Sequence, residues 1–340
     1  MAETVLVTGG TGYVAGWVIV ELLKRGYAVR ATVRLLSRSD GVRLAVKRGG
    51  ASPDRLSFAQ ADLTDDQGWD EAAVGCDRVL HVASPLGTGA DKDPDALIGP
   101  AREGTLRVLR AAVKAGAQRV VLTSSCGAAT PASMGADTVS DERTWSDPAR
   151  QDPYRRSKML AEKAAWEFMK EQGGKTEFVS VLPSGVFGPV LTMEGLGSVQ
   201  FIQRLIDGRL PRIPNVGLNI IDVRDLAAAH VQAMTVPEAA GERFIINGDF
   251  MWMKEIAAVV KEKLGARGDK VPTQELPDIV VRLGANFSPA LATLKPLLRR
   301  SHRFSSEKAR RTIGLATRPA VDTVVDCAES LLATEGVQVA

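Results

Sequence analysis

The chain has 340 residues and a mass of 36.3 kDa, a length that favours one large domain with a smaller lobe. Its 43 Lys and Arg nearly cancel 40 Asp and Glu, leaving +3, so neither nucleic acid nor an acidic membrane is expected as a partner. Three His and three Cys, all widely spaced, argue against a metal site and a disulfide scaffold and fit a reducing compartment. No targeting segment and no apolar run of membrane-spanning length is read in the sequence, which predicts a soluble cytoplasmic protein.

In chain order, Thr4 to Thr8 reads as a buried strand, followed by a glycine-rich turn and a helix from about Tyr13 to Arg25, stopped at Gly26. Strands are predicted at Tyr27–Arg34, Leu56–Gln60, Arg78–Val82, Arg119–Thr123 and Phe178–Leu182. Helices are predicted near Arg43–Lys47, Trp69–Val74, Ala101–Ala115 and Tyr154–Lys170. Six strands alternating with helices predict an α/β fold, a Rossmann-type doubly wound parallel sheet. After Pro189 the alternation weakens into loops around a helix near Val199–Asp207, with further strands at Leu218–Val223 and Arg243–Ile246. The remainder is mostly helical, ending in a helix near Val321–Leu332. The expected division is residues 1–188 as a dinucleotide-binding domain, also receiving strands from about 218–250. Residues 189–217 and 251–340 then form a substrate lobe, with the ligand cleft between the two at the strands' carboxyl ends.

Thr8-Gly9-Gly10-Thr11-Gly12-Tyr13-Val14-Ala15 stands between the first strand and first helix. Glycine lets the backbone turn tightly and approach a pyrophosphate, while the amides opening the helix offer positive charge to phosphate. The second strand ends Val33-Arg34, with Arg38 beyond and no acid before Asp40. A guanidinium there suits a 2′-phosphate, which points to NADP rather than NAD. Asp62, with Leu63 after the third strand, can accept a hydrogen bond from an adenine amino group or simply cap a turn.

Tyr154 and Lys158 lie four residues apart on one helix face. Tyrosine titrates near pH 10, so a neighbouring ammonium is expected to lower that value and make Tyr154 a general acid in carbonyl reduction. Thr123-Ser124-Ser125-Cys126 closes the fifth strand, where the Ser125 hydroxyl can bond a substrate carbonyl. No histidine stands near Ser125 in sequence, so a hydrolase lacks support.

Taken together, Thr8 to Ala15, Arg34, Asp62, His81-Val82-Ala83-Ser84-Pro85, Ser125, Tyr154 with Lys158, and Leu182 to Pro189 resemble the extended short-chain dehydrogenases/reductases. The Ala15 variant, Val33-Arg34 and the His-Val-Ala-Ser-Pro run are similar to the dihydroflavonol reductase, cinnamoyl-CoA reductase and yeast methylglyoxal/ketone reductase branch. The resemblance covers about residues 4 to 260, with Phe304 to Ala309 resembling the family's C-terminal lobe. It implies a catalytic triad of Ser125, Tyr154 and Lys158, with Lys158 also holding the nicotinamide ribose. It further implies a nicotinamide side lined by Ala83, Ser84, Pro85 and Pro183 to Val186, and a 2′-phosphate site at Arg34 and Arg38. One departure is that no Asn precedes Gly104-Thr105, where Pro100-Ala101-Arg102-Glu103 stands.

The resulting expectation is an NADP(H)-dependent carbonyl reductase acting on a small, apolar or aromatic substrate, as a monomer or homodimer. The alternatives are an NAD-dependent nucleotide-sugar epimerase or dehydratase, and a non-catalytic NADP-sensing regulator. The substrate pocket is expected to draw on Leu86, Cys126, Phe187, Phe201 and the loop from Leu191 to Ser198. Asp222, Arg224 and Asp225 are read as local ion pairs and caps, His230 as a packing residue, and Arg299 to Arg303 as a solvated basic face.

Overall fold

The computed structural model describes residues 3–85, 96–131 and 137–335. Its first strand, β1 (Thr4–Val7), sends Val5 and Val7 into one core and Leu6 into another, the alternation of a strand covered on both faces. The chain continues through α1 (Tyr13–Lys24), β2 (Ala28–Val33), α2 (Ser39–Arg48), β3 (Leu56–Gln60), α3 (Trp69–Ala73), β4 (Arg78–His81), α4 (Ile98–Lys114) and β5 (Arg119–Thr123). Next come β6 (Asp137–Ser140), α5 (Pro153–Gln172), β7 (Glu177–Pro183), β8 (Gly185–Phe187), α6 (Gln200–Ile206), β9 (Ile213–Pro214), β10 (Gly217–Asp222), α7 (Val223–Thr235), β11 (Arg243–Ile246) and β12 (Phe250–Trp252). The chain closes with α8 (Met253–Leu264), β13 (Glu275–Leu276), α9 (Asp278–Gly284), α10 (Pro289–Leu294), β14 (Ser301–Phe304), α11 (Glu307–Ile313) and α12 (Ala320–Glu335).

Among the described residues the main sheet holds seven parallel strands in the order β11-β7-β5-β4-β1-β2-β3. From β1 the chain winds one way through β2 and β3, then the other way through β4, β5 and β7. A crevice therefore opens beyond the carboxyl ends of β1 and β4. α1, α2 and α7 cover one face, and α3, α4 and α5 the other.

The sequence predicts six strands here; β11 is the seventh, pairing with β7 after the chain returns from the lobe. The predicted strand at Leu218–Val223 does not join this sheet. As β10 it pairs with β8 and β12 in a separate three-stranded sheet. Ile220 enters the lobe core and Ile221 the main core, so β10 stitches the two cores together.

The lobe core gathers Ile202 and Leu205 of α6, Ile256 and Val260 of α8, and Val324 and Leu331 of α12. Asp222 caps α7 by accepting from the Arg224 amide at 2.8 Å, and its Oδ2 accepts from Thr323 Oγ1 of α12 at 3.1 Å. Arg224 also pairs with Asp326 at 2.6 Å, and Asp225 pairs with Arg318. The ion pairs expected to be local thus fasten α7 to the C-terminal segment. No helix among the described residues is long and apolar enough to cross a membrane.

Candidate active site

A cavity of about 1120 Å³ opens at the carboxyl ends of β1, β4 and β5 and runs under the lobe. Gly9, Gly12, Tyr13 and Val14 form part of its wall where β1 passes into α1. Gly9 has φ +75°, and a Cβ there would lie 3.0 Å from the Ala83 Cβ. Only glycine meets both demands without strain. The loop is pinned by the Gly9 amide on Thr32 Oγ1 at 3.0 Å and the Gly10 amide on the Thr32 carbonyl at 2.8 Å. No side chain caps the start of α1, so its opening amides and dipole are presented to the cavity.

Beside this loop a buried chain of hydrogen bonds fixes the end of β4. Thr105 Oγ1 donates to the Ala101 carbonyl at 2.8 Å, so it accepts from His81 Nε2 at 3.2 Å. His81 Nδ1 is then bare and accepts from Thr8 Oγ1 at 2.8 Å. The Thr8 oxygen in turn accepts from the amides of Val82, at 3.1 Å, and Ala83, at 3.0 Å. Burial and the nearby Lys158 charge push His81 down to about 3, so the ring is neutral, as this proton arrangement requires.

Helix α5 begins with Asp152, whose side chain accepts from the Arg155 amide at 3.0 Å, and with Pro153 in the first turn. Both features favour initiation at this point and set Tyr154 and Lys158 one turn apart on the cavity wall. Lys158 is 7% exposed, and its Nζ donates to the Thr123 carbonyl at 2.9 Å. Burial lowers its pKa to about 8, against a raising effect from Glu162. Ser125 lines the same wall, and its Oγ accepts from the Gly127 amide at 3.1 Å. That bond uses an oxygen lone pair and leaves the hydroxyl hydrogen available. Tyr154 departs from expectation: burial, then Asp152, raises it to about 12 in the ligand-free protein. Desolvation outweighs the lowering effect of the Arg155 charge, and the phenol keeps its proton at neutral pH.

A model of the NAD dependent epimerase/dehydratase family matches residues 5–247. This chain belongs to that family, the extended short-chain dehydrogenases/reductases. It is 38% identical over 244 residues to cinnamoyl-CoA reductase 1 of Petunia hybrida, covering 70% of this chain and 71% of the relative. It is 32% identical to dihydroflavonol 4-reductase of Hordeum vulgare, covering 88% and 84%. The solved structure of yeast methylglyoxal/isovaleraldehyde reductase Gre2 complexed with NADPH superposes with a TM-score of 0.81 at 26% identity, covering 98% of this chain and 99% of that one.

In this family member the cavity gathers most of the residues singled out in sequence. Arg34, Asp62, Leu63, Ala83, Ser84 and Pro85 line one side of it. Thr123, Ser125, Cys126, Tyr154, Lys158, Pro183 and Val186 line the other, with the loop from Glu194 to Ser198 above. Asp62 also caps a turn, accepting from the Thr64 amide at 2.9 Å and hydroxyl at 2.8 Å. Four expected site residues lie elsewhere. Thr8 is fully buried behind the wall and bonds the Ala83 strand end. Arg38 lies outside the cavity, paired with Glu194 beside a small pocket next to the glycine loop. Phe187 is 2% exposed within the lobe core, and Phe201 packs against that core. Both aromatic rings are drawn off by apolar burial. Leu86 lies outside the described residues.

His230 packs as expected. Its Nδ1 must donate to the Leu226 carbonyl at 2.8 Å, so Nε2 accepts from Thr123 Oγ1 at 2.7 Å. The basic stretch near residue 300 is not simply a solvated face: Arg300, His302 and Phe304 line the cavity, and His302 is buried. Their alternate spacing was the available signal, since residues two apart share one face of a strand. Asn219, at the start of the lobe-facing β10, was missed altogether.

The site fits a dinucleotide. The Gly9 cradle leaves no room for a Cβ, and Ser184, on the wall beside Pro183, holds a buried hydroxyl without a partner among the described residues.

Proposed function

We propose that the protein is an NADPH-dependent carbonyl reductase that converts an aldehyde or ketone into an alcohol. The observation that carries this reading is one cavity whose wall joins an uncapped glycine-loop helix start and Arg34 to Ser125, Tyr154 and Lys158. The reductase names of the relatives, and the NADPH in the yeast neighbour, support it. Arg34 at the end of β2, where an acid would select NAD, favours the phosphorylated cofactor over the NAD of an epimerase.

When bound, the cofactor supplies the hydride. The glycine loop and α1 receive its pyrophosphate, and Arg34 its 2′-phosphate. Pro183, Ser184 and Val186 hold the nicotinamide end, and Lys158 the adjoining ribose. Ser125 donates its free hydroxyl hydrogen to the substrate carbonyl oxygen and polarises it. Tyr154, protonated at neutral pH, gives its proton to that oxygen as negative charge develops there. Lys158, held by the Thr123 carbonyl, stabilises the phenolate that remains. Residues 1–188 with β11 form the cofactor-binding part; 189–217 and 251–340 close over the substrate.

The test is NADPH consumption with a panel of aldehydes and ketones. Tyr154→Phe should lower turnover by about 10²- to 10⁴-fold while NADPH affinity changes little. Unchanged turnover in that variant overturns the mechanism.

A further inference from the structure

Lys158 is a buried ammonium whose protein contact is a carbonyl, that of Thr123 at 2.9 Å, and no carboxylate pairs with it among the described residues. One carbonyl dipole is a small return for a charge withdrawn from water. An anion nearby is needed if the group is to stay charged. The titratable and charged groups around it come from three elements. β4 contributes His81, which is neutral, and β11 contributes Arg243. α5 itself contributes Tyr154 and Arg155 one turn before Lys158 and Glu162 one turn after it. Arg155 is paired with Asp152 at 3.3 Å. Within this set only Glu162 is both anionic and fully buried.

A continuous run of contacts joins the two. Glu162 Oε2 accepts from Ser124 Oγ at 2.6 Å, and Ser124 directly follows Thr123, whose carbonyl receives Lys158. One face of α5 thus grips the Thr123–Ser124 peptide from both ends, just before Ser125. On its other side Glu162 accepts from Arg243 Nε at 2.8 Å and Ser180 Oγ at 2.7 Å. Arg243 is itself anchored on the Glu142 and Thr144 carbonyls, at 2.5 and 3.2 Å, and over the Trp145 ring. The resulting order is cation, anion, cation. Arg243 makes the carboxylate tolerable in the core, and the carboxylate opposes the desolvation of Lys158.

We propose that Glu162 is a positioning residue for the reduction: its carboxylate, set in the chain between Arg243 and Lys158, is the counter-ion that keeps the Lys158 ammonium charged beside Tyr154. This rests on the carbonyl-reductase reading of the cavity and deepens it. Without the anion Lys158 gives up its proton more readily, and the phenolate left by Tyr154 loses the charge that stabilises it.

The test is the pH dependence of NADPH-driven turnover in Glu162→Met/Arg243→Met, which removes the pair and leaves no lone charge in the core. Loss of the Lys158 charge should slow reduction on the alkaline side, from about pH 8 in the wild type and from about pH 7 or below in the double variant. Ser180→Ala loosens the same network without removing a charge, so its profile should stay with the wild type. Denaturant titrations give a second reading that needs no substrate. Measured against Lys158→Met in the same background, the rise of stability with pH should begin about one pH unit lower in the double variant. Glu162→Gln, in which Arg243 also repels Lys158, should move both readings further in the same direction, and it takes the place of a double variant that does not fold. A folded variant without the Glu162 charge that keeps the wild-type profile in either reading overturns the counter-ion role. A shift of about one pH unit in Ser180→Ala overturns it too, because the integrity of the network and not its charge is then responsible. Absence of turnover with every carbonyl removes the reductase reading, and the stability profile then decides the role of Glu162 alone.

Discussion

Glu162 sits one turn beyond Lys158 on α5, and its side chain is fully buried. Its Oε1 accepts from Arg243 Nε at 2.8 Å and Ser180 Oγ at 2.7 Å, and its Oε2 from Ser124 Oγ at 2.6 Å and Arg243 at 3.3 Å. Arg243 is nearly as buried and lies 3.6 Å over the Trp145 ring. Glu162→Gln keeps the shape and removes the charge. Whichever way the new amide turns, its NH₂ faces donors from both Arg243 and a serine, so the guanidinium keeps its charge in the core without an anion. Breaking one side of a buried pair costs about 3–5 kcal/mol, and this geometry offers no escape to solvent. Urea unfolding followed by tryptophan fluorescence should show that loss, with Trp145 and Trp166 reporting directly from the pair's surroundings. Replacing both partners with methionine should cost less than Glu162→Gln alone, because no charge is left stranded. A loss below about 1 kcal/mol in Glu162→Gln, or a double variant weaker than the single, would refute the reasoning. Ser124 adjoins Ser125, so turnover should fall together with stability.

Three further outcomes are expected. Arg34→Ala should weaken NADPH binding by about ten-fold or more and leave NADH nearly unaffected, since one charge-assisted contact is worth about 1.5–3 kcal/mol; equal losses for both cofactors would remove Arg34 from the 2′-phosphate site. Lys158 titrates near 8 when folded and near the ordinary lysine value of 10.5 when unfolded, so the unfolded chain holds the extra proton between those values. Stability should therefore rise with pH across that window, by on the order of 3 kcal/mol relative to Lys158→Met, and parallel profiles in denaturant titrations would contradict this. His81 and His230 have folded values of about 3 and 4 against 6.5 unfolded, so each should cost about 1.4 kcal/mol per pH unit as pH falls below 6.5; His81→Gln should flatten that slope by one proton, measured the same way.

Much of the site was legible in the chain because its signals are local. The glycine run works through backbone conformation within one turn, and Tyr154 and Lys158 share a face because four residues nearly complete a helical turn. The alternating strands and helices also carried the sheet, since both faces must be covered. Electrostatics was less legible. The sequence placed a cation beside Tyr154, but the depth of burial, which decides the direction of its shift, belongs to the folded packing.

By itself, then, the sequence determined the glycine-rich turn after β1, the arginine that follows β2 and the placing of Tyr154 and Lys158 one helical turn apart. Tertiary structure alone decided which side chains face the cavity. Phe187 and Phe201 carry no local mark that the lobe core will claim them. Thr8 looks like part of the phosphate loop until β4 arrives beside it and takes its hydroxyl. His302 faces the cavity only because β14 pairs in parallel with β6, aligning it with Thr138 far back in the chain. A strand segment has two faces that period alone cannot tell apart, and the partner strand chooses between them.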